Sequence, residues 1–240
     1  LFYRRELSTL LIDSSKLTFF VKLLSSQDFC SVKIKSAKLR YNKFMIILDI
    51  EASGPNCWKN GILSIGALDF NDSSREFYEE CRLREGAHID DEGLAVNGFT
   101  RKDIADPKKK TEKEIVQSFF GWCMQSKEHT IGGHNPFFDV LFLQFACEVH
   151  KLNFPLAHRM VDLHSICFYH MIKKGIEPPT NKGRSALTSD TVMSYVGISP
   201  EPKPHNAFRG AKWEAEAFMR LLHDKSLYPE FKSMKIPWKI

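Results

Sequence analysis

Two acidic residues stand two positions apart at the end of a short apolar run, Met45-Ile46-Ile47-Leu48-Asp49-Ile50-Glu51. The run has the length and β-branched content of a buried strand. Because residues two apart in a strand point to the same face, Asp49 and Glu51 should project side by side. Two carboxylates held this close repel each other unless a cation neutralises them, and Mg²⁺ or Mn²⁺ suits such oxygen ligands. The alternative is that one acid caps a turn and the other is solvated.

A third acid, Asp139, ends the segment Gly132-Gly133-His134-Asn135-Pro136-Phe137-Phe138-Asp139. The apolar residues around Ile131, the glycine pair and the apolar run that follows Asp139 predict a strand, a turn and then a helix. Asp139 would lie in the first two turns of that helix, where the helix dipole favours a carboxylate. The alternative is an N-terminal helix charge with no other role.

A histidine, His205, follows the proline-rich loop Pro200–Pro204 and opens the last strong helical pattern. Histidine as a residue type titrates near neutral pH, so an imidazole can take a proton from a water molecule. The alternative is a surface histidine at a helix start.

Together, these three segments resemble the DEDDh branch of the DEDD superfamily of 3′–5′ exonucleases. Asp49 and Glu51 are similar to the first family motif, D-x-E. The segment Asn135-Pro136-Phe137-Phe138-Asp139 is similar to the second motif, N-x-x-F-D, and His205 to the histidine of the third motif, H-x-x-x-x-D. Residues Ile89–Thr100 resemble the part of the family that shapes the substrate pocket. The likeness covers about Met45 to Leu222, and three motifs in order are more specific than any one of them.

The resemblance implies an α/β, ribonuclease-H-like fold with a mixed five-stranded sheet flanked by helices. It also implies an enzyme that uses two ions, Mg²⁺ or Mn²⁺, to hydrolyse phosphodiester bonds at the 3′ ends of DNA or RNA and release nucleoside 5′-monophosphates. His205 is expected to act as the base, with Asp49, Glu51 and Asp139 as metal ligands. The residues expected to contact the substrate are Ser53, Gly54, Asn97, Phe99, Asn135 and Phe138.

One position departs from the family pattern. Five residues after His205 the third motif has a metal-binding Asp, whereas this chain has Gly210. Glu214 lies one helical turn later on the same face, and its longer side chain leans back toward the helix N-terminus. It could therefore reach the metal, directly or through a water. The alternative is an ordinary surface Glu214, a weakened second metal site and a degenerate nucleic-acid-binding module; the other matched residues favour the enzyme.

The elements that must position these residues can be read from hydrophobic periodicity and turn signals. Strands at about 46–50, 61–70 and 75–83, with a turn signal at 71–74, predict an antiparallel meander. Shorter strands are expected at about 129–133 and 160–162. Helices are expected near 91–97, from a capping box at Thr111–Glu114 to about 126, around Asp139, up to about 174, near 187–196 and from His205. Loops are expected at Lys108–Lys110 and at 175–184.

The 240 residues suffice for one sizeable domain, and 43% hydrophobic with 26% charged residues is ordinary for a globular protein. Because no apolar run reaches the length of a membrane span, no membrane partner is expected. The six cysteines are scattered without a C-x-x-C pair, which indicates reduced, structural residues and a cytoplasmic protein. The expected partners are single-stranded or frayed 3′ ends of DNA or RNA. A polymerase is a candidate protein partner.

The first 44 residues differ from the rest in composition. They contain nine Lys and Arg against three Asp and Glu, whereas the remaining residues contain 25 basic and 26 acidic ones. We expect residues 1–44 to be a poorly ordered basic arm, or a translated extension upstream of a start at Met45, and residues 45–240 to be the exonuclease domain. A basic arm that grips nucleic acid is the functional alternative. The near-neutral body implies that nucleic-acid affinity comes from a local patch and bound metals.

Overall fold

The computed structural model describes residues 45–239, so the predictions for residues 1–44 lie outside the described residues. The described part is an α/β layer structure, as predicted, with one six-stranded sheet and a separate two-stranded sheet. The main sheet has the order β4-β3-β2-β1-β5-β6. Its strands are β1 (Ile46–Ala52), β2 (Ile62–Asp69), β3 (Asp72–Arg82), β4 (Lys110–Thr111), β5 (Ile131–Gly133) and β6 (Met160–Asp162).

The predicted meander is confirmed, because β1 pairs antiparallel with β2 and β2 pairs antiparallel with β3. On the other side of β1, β5 and then β6 add in parallel. The helices are α1 (Asp91–Asn97), α2 (Glu112–Cys123), α3 (Phe137–His150), α4 (Leu163–Lys173), α5 (Ser189–Tyr195) and α6 (Ala207–His223). The small sheet is formed by β7 (Thr180–Asn181) and β8 (Arg184–Ser185).

The sheet separates two hydrophobic cores, because alternate residues of β1 point to opposite faces. Ile46, Leu48 and Ile50 pack with apolar residues of α2 and α3. Met45 and Ile47 belong to the second core, which contains apolar residues of α4, α5 and α6. Asp49 and Glu51 continue the alternation of Met45 and Ile47, so they belong to the face that α6 covers.

Helix starts follow the local signals in the sequence. At α2, Thr111 and Glu114 form the predicted capping box, since the side chain of each bonds to the backbone N–H of the other. At α6, the Asn206 side chain caps the helix by accepting the Arg209 N–H. The start of α6 crosses β2 at Gly66, where a Cβ atom would overlap the backbone of Ala207 and Phe208. Gly66 therefore permits the contact that places the residues around His205.

Two predicted details are wrong. The sheet has six strands and not five, because Lys110, predicted to lie in a loop, and Thr111, predicted to start the capping box, pair in parallel with Cys81 and Arg82. The predicted loop at 175–184 contains most of the β7–β8 hairpin. Both elements have strands of two residues, which are too short to show any periodicity. Within residues 45–239 no helix has the length and apolar character to cross a membrane, and the five described cysteines are free and buried.

Candidate active site

The second half of β1 carries the first two predicted acids. The described pairing with β5 covers only Ile46 and Ile47, so Asp49 and Glu51 lie beyond the end of the parallel strand. On the β2 side, Asp49 lies opposite Gly66 and Glu51 opposite Ser64. Asp49 and Glu51 therefore lie two residues apart at the end of β1, as the sequence predicted.

Asp139 reaches this strand from the first turn of α3. Its Oδ1 accepts the backbone N–H of Ile50 at 2.9 Å, between the two acids of β1. The sequence turns at Asn135, which has a positive φ of 55°, and α3 begins two residues later. Asp139 thus replaces a missing strand partner for Ile50 and is held beside Asp49 and Glu51.

Helix α6 brings the fourth predicted acid, Glu214, to the same place. Glu214 is 6% exposed, compared with 8% for Glu51 and 4% for Asp139. Its Oε2 lies 3.3 Å from the position of a Cβ atom on Gly133, at the end of β5. That oxygen is buried and has no hydrogen-bond partner among residues 45–239. Glu214 is therefore a buried member of the acid group and not the ordinary surface residue of the alternative reading.

Burial raises the pKa of each of the four acids, and neighbouring carboxylates add to this effect. Burial, followed by the charges of Glu214 and Glu51, raises the pKa of Asp49 well above its usual value. Burial also raises the pKa of Asp139, against the opposing effect of its backbone hydrogen bonds. For Glu214, burial and the Asp139 charge raise the pKa, while the His134 N–H opposes this. Burial and the nearby Glu201 raise the pKa of Glu51 to about 7.

The group of buried acids is suited to binding a divalent cation. Carboxylates that are buried together and lack counter-charges are stabilised by a hard ion with oxygen ligands. The unbonded Oε2 of Glu214 is a free acceptor of the required type. Within residues 45–239, however, no three His, Cys, Asp or Glu side chains already form a group that could hold a metal ion. The carboxylate oxygens of the acid group are nevertheless donors of the type that a hard divalent ion prefers.

His205 is held just before α6 by backbone and side-chain contacts. Its N–H donates to the carbonyl of Val96 at 2.9 Å, and its Nδ1 lies 3.8 Å from Oε2 of Glu201. Glu201 was missed by sequence reasoning, although it lies only four residues before His205. Its other oxygen accepts from the Asn206 N–H and from Nε of Arg209, each at 3.0 Å. An acid in the same loop as a candidate base was the available signal.

Two clefts meet at Asn97. The larger, about 500 Å³, is lined by His205 together with Phe99, Tyr78 and Lys109. The smaller, about 210 Å³, contains Glu51. Of the predicted substrate residues, Asn97 lines both clefts, Phe99 lines the larger, and Gly54 and Phe138 line the smaller. The structure thus brings four of the six predicted substrate residues to the clefts that contain the predicted base and one predicted metal ligand.

The other two predicted substrate residues lie elsewhere. The Ser53 side chain is fully buried; its hydroxyl donates to the His88 carbonyl and accepts the Gly61 N–H. Ser53 therefore holds its loop and does not line either cleft. Asn135 is exposed in a separate cleft, where its N–H donates to Oδ1 of Asp162. Its place at the turn with positive φ gives it a structural role that the motif alone does not reveal.

A cationic residue of the larger cleft comes from the predicted lysine loop. Lys109 pairs with Glu80 at 2.5 Å, and its Nζ lies 4.9 Å from the centre of the Phe99 ring. Arg209 also pairs with an acid, Glu201, and it donates to the carbonyls of Pro202 and Pro204. Both basic residues of the larger cleft are thus paired with acids, but Lys109 lies beside the Phe99 ring, whereas Arg209 holds the proline loop.

Comparison with known proteins gives a fold. No family model matches the sequence, and no curated protein matches it. Among solved structures, the nuclease domain of 3′hExo, a DEDDh family member bound to rAMP, is similar over 84% of this chain and 99% of that chain. Its TM-score is 0.61 and its sequence identity is 17%.

Two further similar structures come from other nucleases. Cell-death related nuclease 4 matches 76% of this chain and 64% of its own, with a TM-score of 0.60 and 16% identity. Exonuclease I of E. coli, in complex with a dA16 oligonucleotide, matches 75% of this chain and 41% of its own, with a TM-score of 0.59 and 14% identity. The chain therefore has the fold of the DEDDh 3′-exonucleases, as the sequence motifs predicted.

Proposed function

We propose that this chain is a metal-dependent 3′–5′ exonuclease. It would hydrolyse phosphodiester bonds at the 3′ ends of DNA or RNA and release nucleoside 5′-monophosphates. The observation that carries the proposal is that Glu51, Asp139 and Glu214 are buried close to Asp49 around the end of β1, where the pKa of all four acids is raised. Functional sites are where such shifts concentrate. The nuclease fold and the nucleotide ligands of 3′hExo and Exonuclease I support the same conclusion.

The acid group provides the ligands for Mg²⁺ or Mn²⁺. Asp49, Glu51 and Asp139 would hold the ions, and two ions at such a site activate a water and stabilise the leaving oxygen. Asp139 contributes rigidity as well, because its hydrogen bond to Ile50 fixes α3 against β1. Neutralisation of the acids by metal would remove the repulsion that raises their pKa values.

His205 would accept the proton of the attacking water. It lines the larger cleft, and its Nδ1 faces Glu201, which leaves the other ring nitrogen for the proton transfer. A carboxylate near Nδ1 fixes the orientation of an imidazole and stabilises its protonated form. The distance of 3.8 Å exceeds a hydrogen bond, but catalytic contacts are often long before substrate binds.

A single strand would enter through the two joined clefts. Phe99 and Phe138 offer ring faces for stacking of bases, which tolerates any base sequence. Lys109 would contact a phosphate in the larger cleft. The near-neutral charge of the described body makes this local contact more important than bulk attraction. A polymerase partner and a cytoplasmic location stay predictions from the sequence.

A second candidate function is a nucleic-acid-binding module that has lost its activity. Gly210 favours it, because the family motif has a metal-binding Asp at this position. Such a module would keep the clefts and their aromatic rings but would not cut the strand. Binding and cleavage therefore have to be measured separately.

The test uses single-stranded DNA and RNA labelled at the 5′ end, with MnCl₂ or with EDTA. The proposal expects strands to shorten stepwise from the 3′ end with MnCl₂ and to stay intact with EDTA. His205→Asn should slow shortening by about 10²- to 10⁴-fold, the usual contribution of a general base. A strand with a blocked 3′ end serves as the control. Retained binding without any shortening would instead support the inactive module.

A further inference from the structure

We propose that Glu214 is a direct ligand of the divalent ion and takes over the position of the carboxylate that is absent at Gly210. The inference rests on the proposed function, since it concerns the metal of the same site.

One carboxylate oxygen of Glu214 is buried without a hydrogen-bond partner in the described part of the chain. The residue is 6% exposed, and its Oε2 has no hydrogen-bond partner within residues 45–239. A buried carboxylate oxygen without a partner is disfavoured unless the group gains a proton or a cation. The neighbouring charges of Asp49 and Asp139 make a bare carboxylate still less favourable. A cation shared with these acids satisfies all of them at once.

Glu216, two residues further along α6, provides an internal comparison. It is also completely buried, yet both of its oxygens have partners. Oε1 pairs with Nε of Arg220 at 2.7 Å, and Oε2 accepts the backbone N–H groups of Leu227 and Tyr228 at 2.7 and 3.2 Å. A structural acid in this helix is thus fully hydrogen-bonded. Glu214 differs, because the His134 N–H bonds to its carboxylate while Oε2 has no partner among residues 45–239, as expected of an oxygen whose ligand is not a protein atom.

Two glycines, Gly210 and Gly133, determine the space around the acids. At Gly210, a Cβ atom would overlap Oδ2 of Asp49. The backbone of α6 is therefore too close to Asp49 for any side chain at position 210. At Gly133, a Cβ atom would lie 3.3 Å from Oε2 of Glu214, closer than an ordinary contact. The two glycines let α6 approach β1 closely and leave room for the Glu214 side chain. The acid one turn later therefore reaches the site with its longer side chain.

The experiment measures binding of MnCl₂ alone to the full chain, after removal of metals, by isothermal titration calorimetry. Glu214→Gln keeps the size of the side chain and removes its charge. Glu214→Asp keeps the charge and shortens the reach, so it is the second variant. Glu177→Gln, at an exposed position outside the site, is the charge-matched control. Circular dichroism of each variant without metal verifies folding.

We expect Glu214→Gln and Glu214→Asp each to weaken binding of at least one Mn²⁺ ion by about tenfold or more, the effect that even outer-shell substitutions produce. Glu177→Gln should bind as the unchanged protein does. Unchanged Mn²⁺ affinity in a folded Glu214→Gln variant would overturn the inference, as would an unchanged protein that binds no Mn²⁺.

Metal binding and strand cleavage separate the two proposals. If the unchanged protein cleaves strands with MnCl₂ and Glu214→Gln binds Mn²⁺ equally well, the inference fails and the exonuclease stands. If Mn²⁺ binding depends on Glu214 but no strand is cleaved, the ligand assignment stands and the exonuclease proposal fails.

Discussion

Gly210 and Asp49 lie so close together that a Cβ atom on residue 210 would overlap the Asp49 carboxylate. The backbone of α6 therefore lies against the first acid of the site. This contact gives position 210 a steric role. An acid at this position would have to share its space with Asp49.

Substitutions at Gly210 separate the steric effect from the effect of a carboxylate. Gly210→Ala adds only the Cβ atom, and we expect it to displace the Asp49 carboxylate and lower turnover by about 10²-fold, as small misplacements of catalytic groups do. Gly210→Asp adds the same atom plus a carboxylate and should also lower turnover. Rates of nucleotide release with MnCl₂ measure both. A Gly210→Asp variant that is faster than the unchanged protein would show that the natural metal site is weakened.

Gly66 should be equally sensitive, but through stability. Its Cβ atom would overlap the backbone of Ala207 and Phe208, which cannot move aside as a side chain can. We expect Gly66→Ala to lower the free energy of unfolding by about 1–3 kcal/mol, the usual cost of overpacking. The matched control is Gly121→Ala in α2, where no atom of the described chain lies within 4 Å of the new Cβ atom.

Gly121→Ala should be stabilising by about 0.5–1 kcal/mol, because alanine is the better helix former. Urea unfolding of both variants measures the difference. A Gly66→Ala variant as stable as Gly121→Ala would contradict the close crossing of α6 over β2.

The fold could be predicted from the sequence because its elements have strong local signals. The meander, the capping box at Thr111 and the helix around Asp139 all follow from apolar periodicity or cap chemistry. Strand β4 could not be predicted, since its two residues pair with a strand almost thirty residues earlier. Pairing of this kind depends on the finished sheet and leaves no pattern in the sequence.

The stability of the metal-free protein should fall as the pH rises. Burial and Glu201 raise the pKa of Glu51 from 4.5 to about 7 in the folded state. An acid with a raised folded pKa contributes stability that is complete below the unfolded pKa and is lost as the pH rises through the folded one. Between about pH 4.5 and 7, the folded protein therefore binds more protons than the unfolded chain.

Melting temperatures at pH 5 and pH 8, with EDTA, check this dependence. We expect the melting temperature to fall between pH 5 and pH 8. In Glu51→Gln this fall should be smaller by at least about 2–4 °C, the shift that 1 kcal/mol produces in a domain of this size. MnCl₂ at pH 8 should raise the melting temperature of the unchanged protein, since it binds only the folded state. If the melting temperatures of Glu51→Gln and Glu177→Gln depend on pH in the same way, the pKa of Glu51 is not raised in the folded protein.

Glu201 should act on turnover through His205. Its carboxylate faces Nδ1 of His205 and also accepts the Asn206 N–H. Glu201→Gln keeps the size of the side chain but removes the charge, so we expect kcat to fall about 10- to 100-fold with little change in KM. Nitrogen chemical shifts of the His205 ring, assigned by comparison with His205→Asn, should also change. Unaltered kcat and ring shifts would mean that Glu201 only fastens the proline loop.

The placement of Asp49, Glu51 and Asp139 in a strand and a helix could be predicted from the sequence, but the contacts around them could not. Asp49 and Glu51 follow from strand alternation, and Asp139 from its place in the first turn of a helix. Glu201 lies in a proline loop without periodicity, so its approach to His205 depends on how that loop folds. Ser53, which lies beside the first motif, was predicted to contact the substrate. In the structure its hydroxyl is buried and bonds to the surrounding loop instead.

The most direct test compares the unchanged protein with Asp49→Asn for release of nucleoside 5′-monophosphates from a single strand with MnCl₂. The charges of Glu51, Asp139 and Glu214 all raise the pKa of Asp49, and the metals at such sites provide several kcal/mol of transition-state stabilisation. We expect the unchanged protein to release mononucleotides and Asp49→Asn to be slower by about 10³-fold or more. Its metal-free melting temperature should be equal or higher, since one repelling charge is gone. Release at the same rate by a folded Asp49→Asn variant would contradict the assignment of the active site.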